Sequence, residues 1–188
     1  MLKMDWEVLE KACENCRDCE LAQTRHHVVF GTGNRESKLL FIGEGPGEQE
    51  DLQGIPFVGP AGQLLDDMLS IIDVPRENCY IAHSVKCRPP RNRDPRPQEQ
   101  EACFHYLDNQ IDLLDPQIIV CLGRIAAQRI IDPDLHITTD HGHWTYRLGR
   151  WMMPMYHPSA LLRDVNKRPE TFDDLLSLRE KMRQLKMI

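Results

Sequence analysis

Cys16 and Cys19 form a Cys-x-x-Cys pair, and Cys87 and Cys103 follow far downstream with fifteen residues between them. Thiolates are the soft donors that hold zinc or an iron–sulfur cluster, and a close pair joined by two distant thiols ties separate chain segments to one centre. Cys13 extends the first pair to Cys13-x-x-Cys16-x-x-Cys19, so two registers are open for it, and spacing does not separate zinc from iron. The third thiol lies in a loop that carries five positive charges and one aspartate between Lys86 and Arg96. The candidate centre therefore anchors a loop suited to meeting phosphates.

Groups of this kind need a scaffold, and the hydrophobic pattern supplies one. Four short apolar runs read as strands: Lys38–Gly43, Tyr80–Val85, Gln117–Leu122 and Trp151–Tyr156. Helical periodicity falls between and after them, over Ala61–Ile72, Pro97–Leu114 with proline in its first turn, Arg124–Ile131 and Pro169–Lys186. Strand–helix alternation implies a three-layer α/β/α sandwich with a central four-stranded, mainly parallel sheet, expected as a single domain over residues 1–188. Ligands of such sheets bind beyond the carboxyl ends of the strands. Three polar loops converge there: Gly43-Glu44-Gly45-Pro46-Gly47-Glu48-Gln49-Glu50-Asp51, the basic Cys87 loop, and His157-Pro158-Ser159. The glycine spacing of the first is wrong for a dinucleotide fingerprint, and acidic residues stand where pyrophosphate would sit.

These segments, with Gly54-Ile-Pro-Phe-Val-Gly59, Lys86-Cys-Arg-Pro-Pro90 and His157-Pro-Ser-Ala-Leu-Leu-Arg163 in this order and the four cysteines, resemble the family 4 uracil-DNA glycosylases, which carry a [4Fe–4S] cluster. The resemblance runs from about Cys16 to Leu176. It implies hydrolysis of the N-glycosidic bond of uracil in single- or double-stranded DNA after base flipping, leaving an abasic site. Matched by position, Cys16, Cys19, Cys87 and Cys103 would hold the cluster, with zinc as the alternative occupant and Cys13 as a spare thiol. His157 would donate to uracil O2, Glu44 would hold the attacking water and favour the cationic sugar, and Glu50 would stand near that sugar. Gly45, Phe57, His83, Asn92 and Ser159 would meet the base, Phe57 by stacking. Arg88, Arg91, Arg93 and Arg163 would contact the DNA backbone, while Leu161 and Leu162 form an apolar wedge on a loop.

His83 departs from the family, which has an asparagine there. A carboxamide places a donor beside an acceptor, whereas a neutral imidazole has one of each pointing apart, so the two-point reading of uracil is lost. Two alternatives follow: a glycosylase-fold nucleic-acid-binding protein with altered base specificity or lost catalysis, and, ranked lower, a protein that links covalently to DNA. His141-Gly142-His143 is a second departure and reads as a solvated surface turn. Cys79 and Cys121 read as buried small hydrophobes, and Trp6, Trp144 and Trp151 carry no functional signal.

Seven cysteines, an odd number with no secretory signal ahead of them, argue against a disulfide framework and for a reducing cytoplasm. The start, Met1 to Glu7, is charged and amphipathic, and no apolar run approaches the ~20 residues that span a bilayer. A net charge of −6 argues against broad electrostatic coating of nucleic acid but leaves room for a local basic face. A soluble monomer is expected.

Overall fold

The computed structural model describes residues 4–188, so the first three residues of the amphipathic start lie outside it. In chain order the elements are α1 (Trp6–Glu14), β1 (Thr32–Gly33), β2 (Leu39–Gly43), α2 (Glu48–Gln53), α3 (Pro60–Ile71), β3 (Tyr80–His83) and α4 (Pro97–Leu114). They continue with β4 (Ile118–Leu122), α5 (Arg124–Ile130), α6 (Ile137–Asp140), β5 (Thr145–Arg147), β6 (Arg150–Met155), α7 (Pro158–Arg163) and α8 (Arg168–Gln184).

The strands form one sheet in the order β1-β3-β2-β4-β6-β5. The four expected strands are its parallel centre, with Leu40 opposite Tyr80 and Ile119, and Ile119 opposite Met152. Two antiparallel edge strands, β1 and β5, make the sheet six-stranded rather than four-stranded. At two and three residues they are too short to carry a period-2 pattern.

Because the central strands are covered on both faces, they are apolar throughout instead of alternating. Leu39, Phe41, Val120 and Met153 pack against Leu65, Met68 and Leu69 of α3 and Leu175, Leu178 and Met182 of α8. On the opposite face Leu40, Ile42, Ile119 and Cys121 meet Leu107, Ile111 and Leu114 of α4 and Ala126, Ala127 and Ile130 of α5. This is the α/β/α sandwich, and each fully buried aliphatic side chain contributes about 1.5–3 kcal/mol to it. A third cluster lies at the side: Leu9 and Cys13 of α1 pack with Phe30, Val85, Cys103 and Tyr106. Cys79 and Cys121 are buried in the two main clusters, as small hydrophobes should be.

Two local devices shape the functional edge. Pro97 opens α4, and the Glu99 carboxylate accepts the Arg96 backbone N–H at 3.2 Å, closing the first turn. Glu50 does the same for α2, accepting the Gly47 N–H at 2.6 Å. The periodic pattern did not mark α2, whose EQEDLQ sequence is acidic and has no apolar face. His141 is not a solvated turn residue: Nδ1 lies 2.7 Å from Asp174 Oδ2 and Nε2 3.3 Å from Glu170 Oε2, fastening the segment before β5 to α8. Trp144 and Trp151 contact each other edge to face, and Trp6 packs on Phe30 and Tyr80, all in structural settings.

Candidate active site and cysteine centre

The carboxyl ends of β2, β4 and β6 open into a cleft of about 720 Å³ lined by Glu44, Gly45, Gly123, His157 and Ser159, with Asn92, Arg124, Arg163 and Lys167 toward its mouth. Gly123 was not singled out by sequence, although it directly follows the third strand as Glu44 and His157 follow others. Its φ of +93° belongs to glycine, and a Cβ there would fall 2.7 Å from Glu44 Oε1 and 3.2 Å from His157 Cβ. The absence of a side chain lets the acid and the histidine close on each other across β4.

His157 caps α7 with its own ring. The Ser159 backbone N–H donates to His157 Nδ1 at 3.1 Å, and Ser159 Oγ lies 2.7 Å from the same nitrogen. A backbone N–H can only donate, so Nδ1 is unprotonated and the ring hydrogen of the neutral imidazole sits on Nε2. Burial, aided by His83 and Arg163, holds the pKa of His157 down to about 4 against the pull of Glu50. Burial and then Asp94 raise the Glu44 carboxyl, opposed by Arg124, His83 and Arg163. The Glu44 side chain makes no hydrogen bond to another described residue.

Glu50 lines the same cleft as Glu44 and His157 and is held from within its own loop. Oε1 accepts the Phe57 N–H at 2.5 Å and faces His83 Nε2 at 2.9 Å, while Oε2 accepts from Gly47. Burial alone would raise its pKa; His83 and the two backbone donors lower it instead. Glu50 lines the cleft, and these contacts let it orient the loop and His83 from there.

Phe57 and His83 are brought together, but behind the cleft rather than on its surface. They are 3% and 1% exposed, with ring centroids 5.1 Å apart and planes 28° apart. Phe57 also stacks with His157 at 5.4 Å. Gly45 is at the site, where a Cβ would meet Val85 Cγ2 at 2.8 Å.

Several expected DNA and base contacts are redirected by local partners. The Arg93 guanidinium is held by both Glu99 oxygens at 2.6 and 3.0 Å, which removes it from the set of free phosphate binders. Asn92, exposed and lining the cleft, accepts from Arg88 Nε at 2.7 Å through its carbonyl. Arg91 and Arg163 are exposed. The His-Pro-Ser-Ala-Leu-Leu-Arg stretch is the short helix α7, not a loop, because Pro158 suits its first position and His157 caps it. Helical geometry then turns Leu161 into the core at 2% exposure and leaves Leu162, at 42%, exposed in the cleft lining. The sequence reading also passed over the Arg124–Asp94 pair at 2.7 Å on the rim.

At the third core cluster, Cys13, Cys16, Cys19, Cys87 and Cys103 line one small cavity together with Arg25, Lys86 and Tyr106. The Lys86 backbone N–H points at Cys103 Sγ at 3.3 Å, and Arg25 Nη1 at Cys87 Sγ at 3.4 Å. Burial raises Cys87, Cys19 and Cys103, the last to about 12, so deprotonation requires a cationic partner. Among the described residues no three His, Cys, Asp or Glu side chains are placed to hold a metal ion as they stand. The sulfurs ring a space instead, with N–H donors aimed at two of them. Lys86, counted in the sequence among the charges suited to phosphates, is instead 1% exposed, with Nζ donating to the His83 carbonyl at 3.0 Å and Gln110 Oε1 at 2.6 Å.

The fold and this edge define a class before any particular group. Residues 30–178 match the family model of the uracil DNA glycosylase superfamily, and the chain belongs to it. Within that class it is similar to the type-4 uracil-DNA glycosylases of Archaeoglobus fulgidus, 44% identical over 174 residues covering 88% of this chain and 87% of the relative, and of Thermotoga maritima, 44% identical with 84% and 83% covered. The type-4 uracil-DNA glycosylase of Sulfurisphaera tokodaii is 40% identical, with 93% and 83% covered.

Proposed function

We propose that this protein excises uracil from DNA, hydrolysing the N-glycosidic bond and leaving an abasic site. The observation that carries the reading is the His157–Gly123–Glu44 arrangement: a neutral imidazole with its proton fixed on Nε2, beside a carboxylate, across a glycine that lets them approach. A flipped uridine enters the cleft with its base toward Phe57 and His83. As the glycosidic bond lengthens, negative charge builds on uracil O2 and positive charge on the sugar. His157 Nε2–H donates to O2, and a positioned donor of this kind contributes about 3–4 kcal/mol to barrier lowering. Glu44, ionised, favours the cationic sugar and holds the water that adds to C1′. Glu50 positions Phe57 and His83. Leu162 fills the gap left by the flipped nucleotide, and Arg88, Arg91, Arg163 and Lys167 hold phosphates.

Cys16, Cys19, Cys87 and Cys103 suit a [4Fe–4S] cluster, with Cys13, buried and lining the same cavity, as the spare thiol. The sulfur-lined cavity and the N–H groups directed at two sulfurs support a thiolate-held centre, and the resemblance to the cluster-bearing family, rather than the geometry, favours iron over zinc. Such a group, when bound, joins the end of α1 to the Cys87 loop and to α4. Anaerobically purified protein should show a broad visible absorption band with iron and sulfide by analysis; a colourless protein containing stoichiometric zinc would reject the cluster.

The activity is tested with labelled single-stranded and duplex oligonucleotides bearing one uracil, cut with hot alkali at abasic sites. His157→Ala should lose about 100- to 1,000-fold in single-turnover rate with DNA binding retained. Full activity in that variant would overturn the assignment of the oxyanion donor.

A further inference from the structure

α2 is held in the cleft wall by a carboxylate rather than by an apolar face. Its one buried residue is Asp51, 1% exposed and next in the chain after Glu50. The contacts of Asp51 come from two successive histidines that precede β1. Asp51 Oδ1 accepts the backbone N–H of His26 at 2.8 Å and that of His27 at 3.3 Å, and Oδ2 lies 2.6 Å from His26 Nδ1. The Asp51 carbonyl, one of the orphan acceptors in the last turn of α2, lies 2.9 Å from His27 Nδ1. Burial by itself would raise the Asp51 carboxyl, but the His26 and His27 donors hold it below its ordinary value of 3.8. An ionised carboxylate and a carbonyl can only accept, so both histidines carry a hydrogen on Nδ1. Four hydrogen bonds from two adjacent residues thus converge on one.

The same segment also reaches the cysteine centre. Arg25 Nη1 donates to Cys87 Sγ at 3.4 Å, and the Val29 N–H donates to the Lys86 carbonyl at 2.7 Å. Residues 25–29 therefore join the loop that supplies Cys87 to the helix that carries Glu50. Glu50 in turn takes the Gly47 and Phe57 N–H groups and faces His83 at 2.9 Å, so the placement of α2 is passed directly to the floor of the cleft.

We propose that Asp51 is a positioning residue for the catalytic loop and that residues 25–27 are the strap that holds it, tying the placement of Glu50 to the cysteine centre. The inference rests on the uracil-excision reading above. Without the carboxylate, α2 has no buried side chain to dock it, and Glu50 drifts from the Phe57 N–H. A misplacement of about 1 Å near reacting atoms can cost about 100-fold in rate.

The test pairs two readouts on the full-length protein with its centre bound, at a temperature where every variant is folded: single-turnover excision of uracil over a range of protein concentrations, and hydrogen exchange across residues 47–57. Asp51→Ala should lose at least tenfold in the saturated rate, with little change in the half-saturating concentration, and exchange should rise at least fivefold. Asp51→Asn, which keeps an acceptor for the two backbone N–H groups, should recover most of that rate, as a role in overall stability alone would not require. Arg25→Gln should raise exchange over the same residues and, added to Asp51→Ala, slow excision no further, because both act through one strap. If Asp51→Ala fails to fold, the exposed His27→Ala replaces it; if Arg25→Gln loses the centre, wild-type protein stripped of metal by a chelator replaces it, with β4 as the control peptide. A smaller loss in saturated rate, a loss confined to the half-saturating concentration, or a smaller rise in exchange would overturn the inference while leaving the glycosylase intact. Exchange that rises on loss of Asp51 but not on loss of the Arg25 contact would reject the tie to the cysteine centre. No release of uracil by the wild-type protein, with binding to DNA retained, would reject the uracil reading and this inference together.

Discussion

His157 acts as a neutral donor, and that requirement gives the reaction a defined pH response. In an unfolded chain the ring takes up a proton near pH 6.5, but the folded protein withholds it until about pH 4. Between those values the unfolded state binds more protons, so the stability associated with this group is complete above pH 6.5 and is lost as the pH falls toward 4, about 3 kcal/mol in all. His157→Asn should flatten that part of the stability curve in denaturant titrations at pH 7 and pH 4.5. Activity should fail earlier than the histidine does. Glu44 must be ionised to favour the cationic sugar, and burial raises its carboxyl above the ordinary 4.5. Single-turnover rates should therefore fall, with decreasing pH, at a point above that ordinary value. Glu44→Gln should be slow at every pH and show only the lower decline near pH 4. An acid limb unchanged by Glu44→Gln would assign it to another group.

At the scale of elements, function depends on where strands end. β2, β4 and β6 deliver Glu44, Gly123 and His157 to one edge, and the parallel register fixes their relative height. Gly123→Ala should cost at least tenfold in single-turnover excision, because its Cβ would displace Glu44 Oε1 from 2.7 Å, and should lower the melting temperature by a few degrees through the strained φ. Retained activity would show that the acid is not held by this approach. The central strands, α3, α4, α5 and α8 were legible because each carries a long apolar pattern with proline or glycine at an end. The edge strands were too short to register, and acidic α2 is held by Glu50 capping rather than by burial of an apolar face. The same limit governed the site. Types and order of residues located Glu44, His157 and the cysteines, but pairing is set in three dimensions. Nothing local in the sequence says that Glu99 captures Arg93, that Asn92 braces Arg88, or that a helical turn sends Leu161 inward and Leu162 outward.

For the molecule as a whole, that pairing decides how strongly DNA is held. The chain carries a formal charge of −6, so attraction to a polyanion must come from cations left free at the cleft mouth. Arg93 is neutralised by Glu99 and Arg124 by Asp94, whereas Arg88 donates only to the uncharged Asn92 carbonyl and keeps its charge. Arg88, Arg91, Arg163 and Lys167 remain, with Lys167 Nζ 5.0 Å over the Tyr156 ring. Four phosphate contacts correspond to a slope of log K against log salt of about −3.6 on duplex DNA and about −2.8 on a single strand. Each additional contact would steepen it by about 0.9 on duplex DNA and about 0.7 on a single strand. Arg163→Gln should reduce the slope by about one with no change in base preference, whereas Arg93→Gln should leave it unchanged and lower stability by loosening the Glu99 cap of α4. Fluorescence anisotropy of labelled abasic DNA from 50 to 300 mM salt separates the two. A slope that falls equally in both variants would mean that Glu99 releases Arg93 when DNA arrives, and the phosphate-binding face would then extend along the whole Cys87 loop.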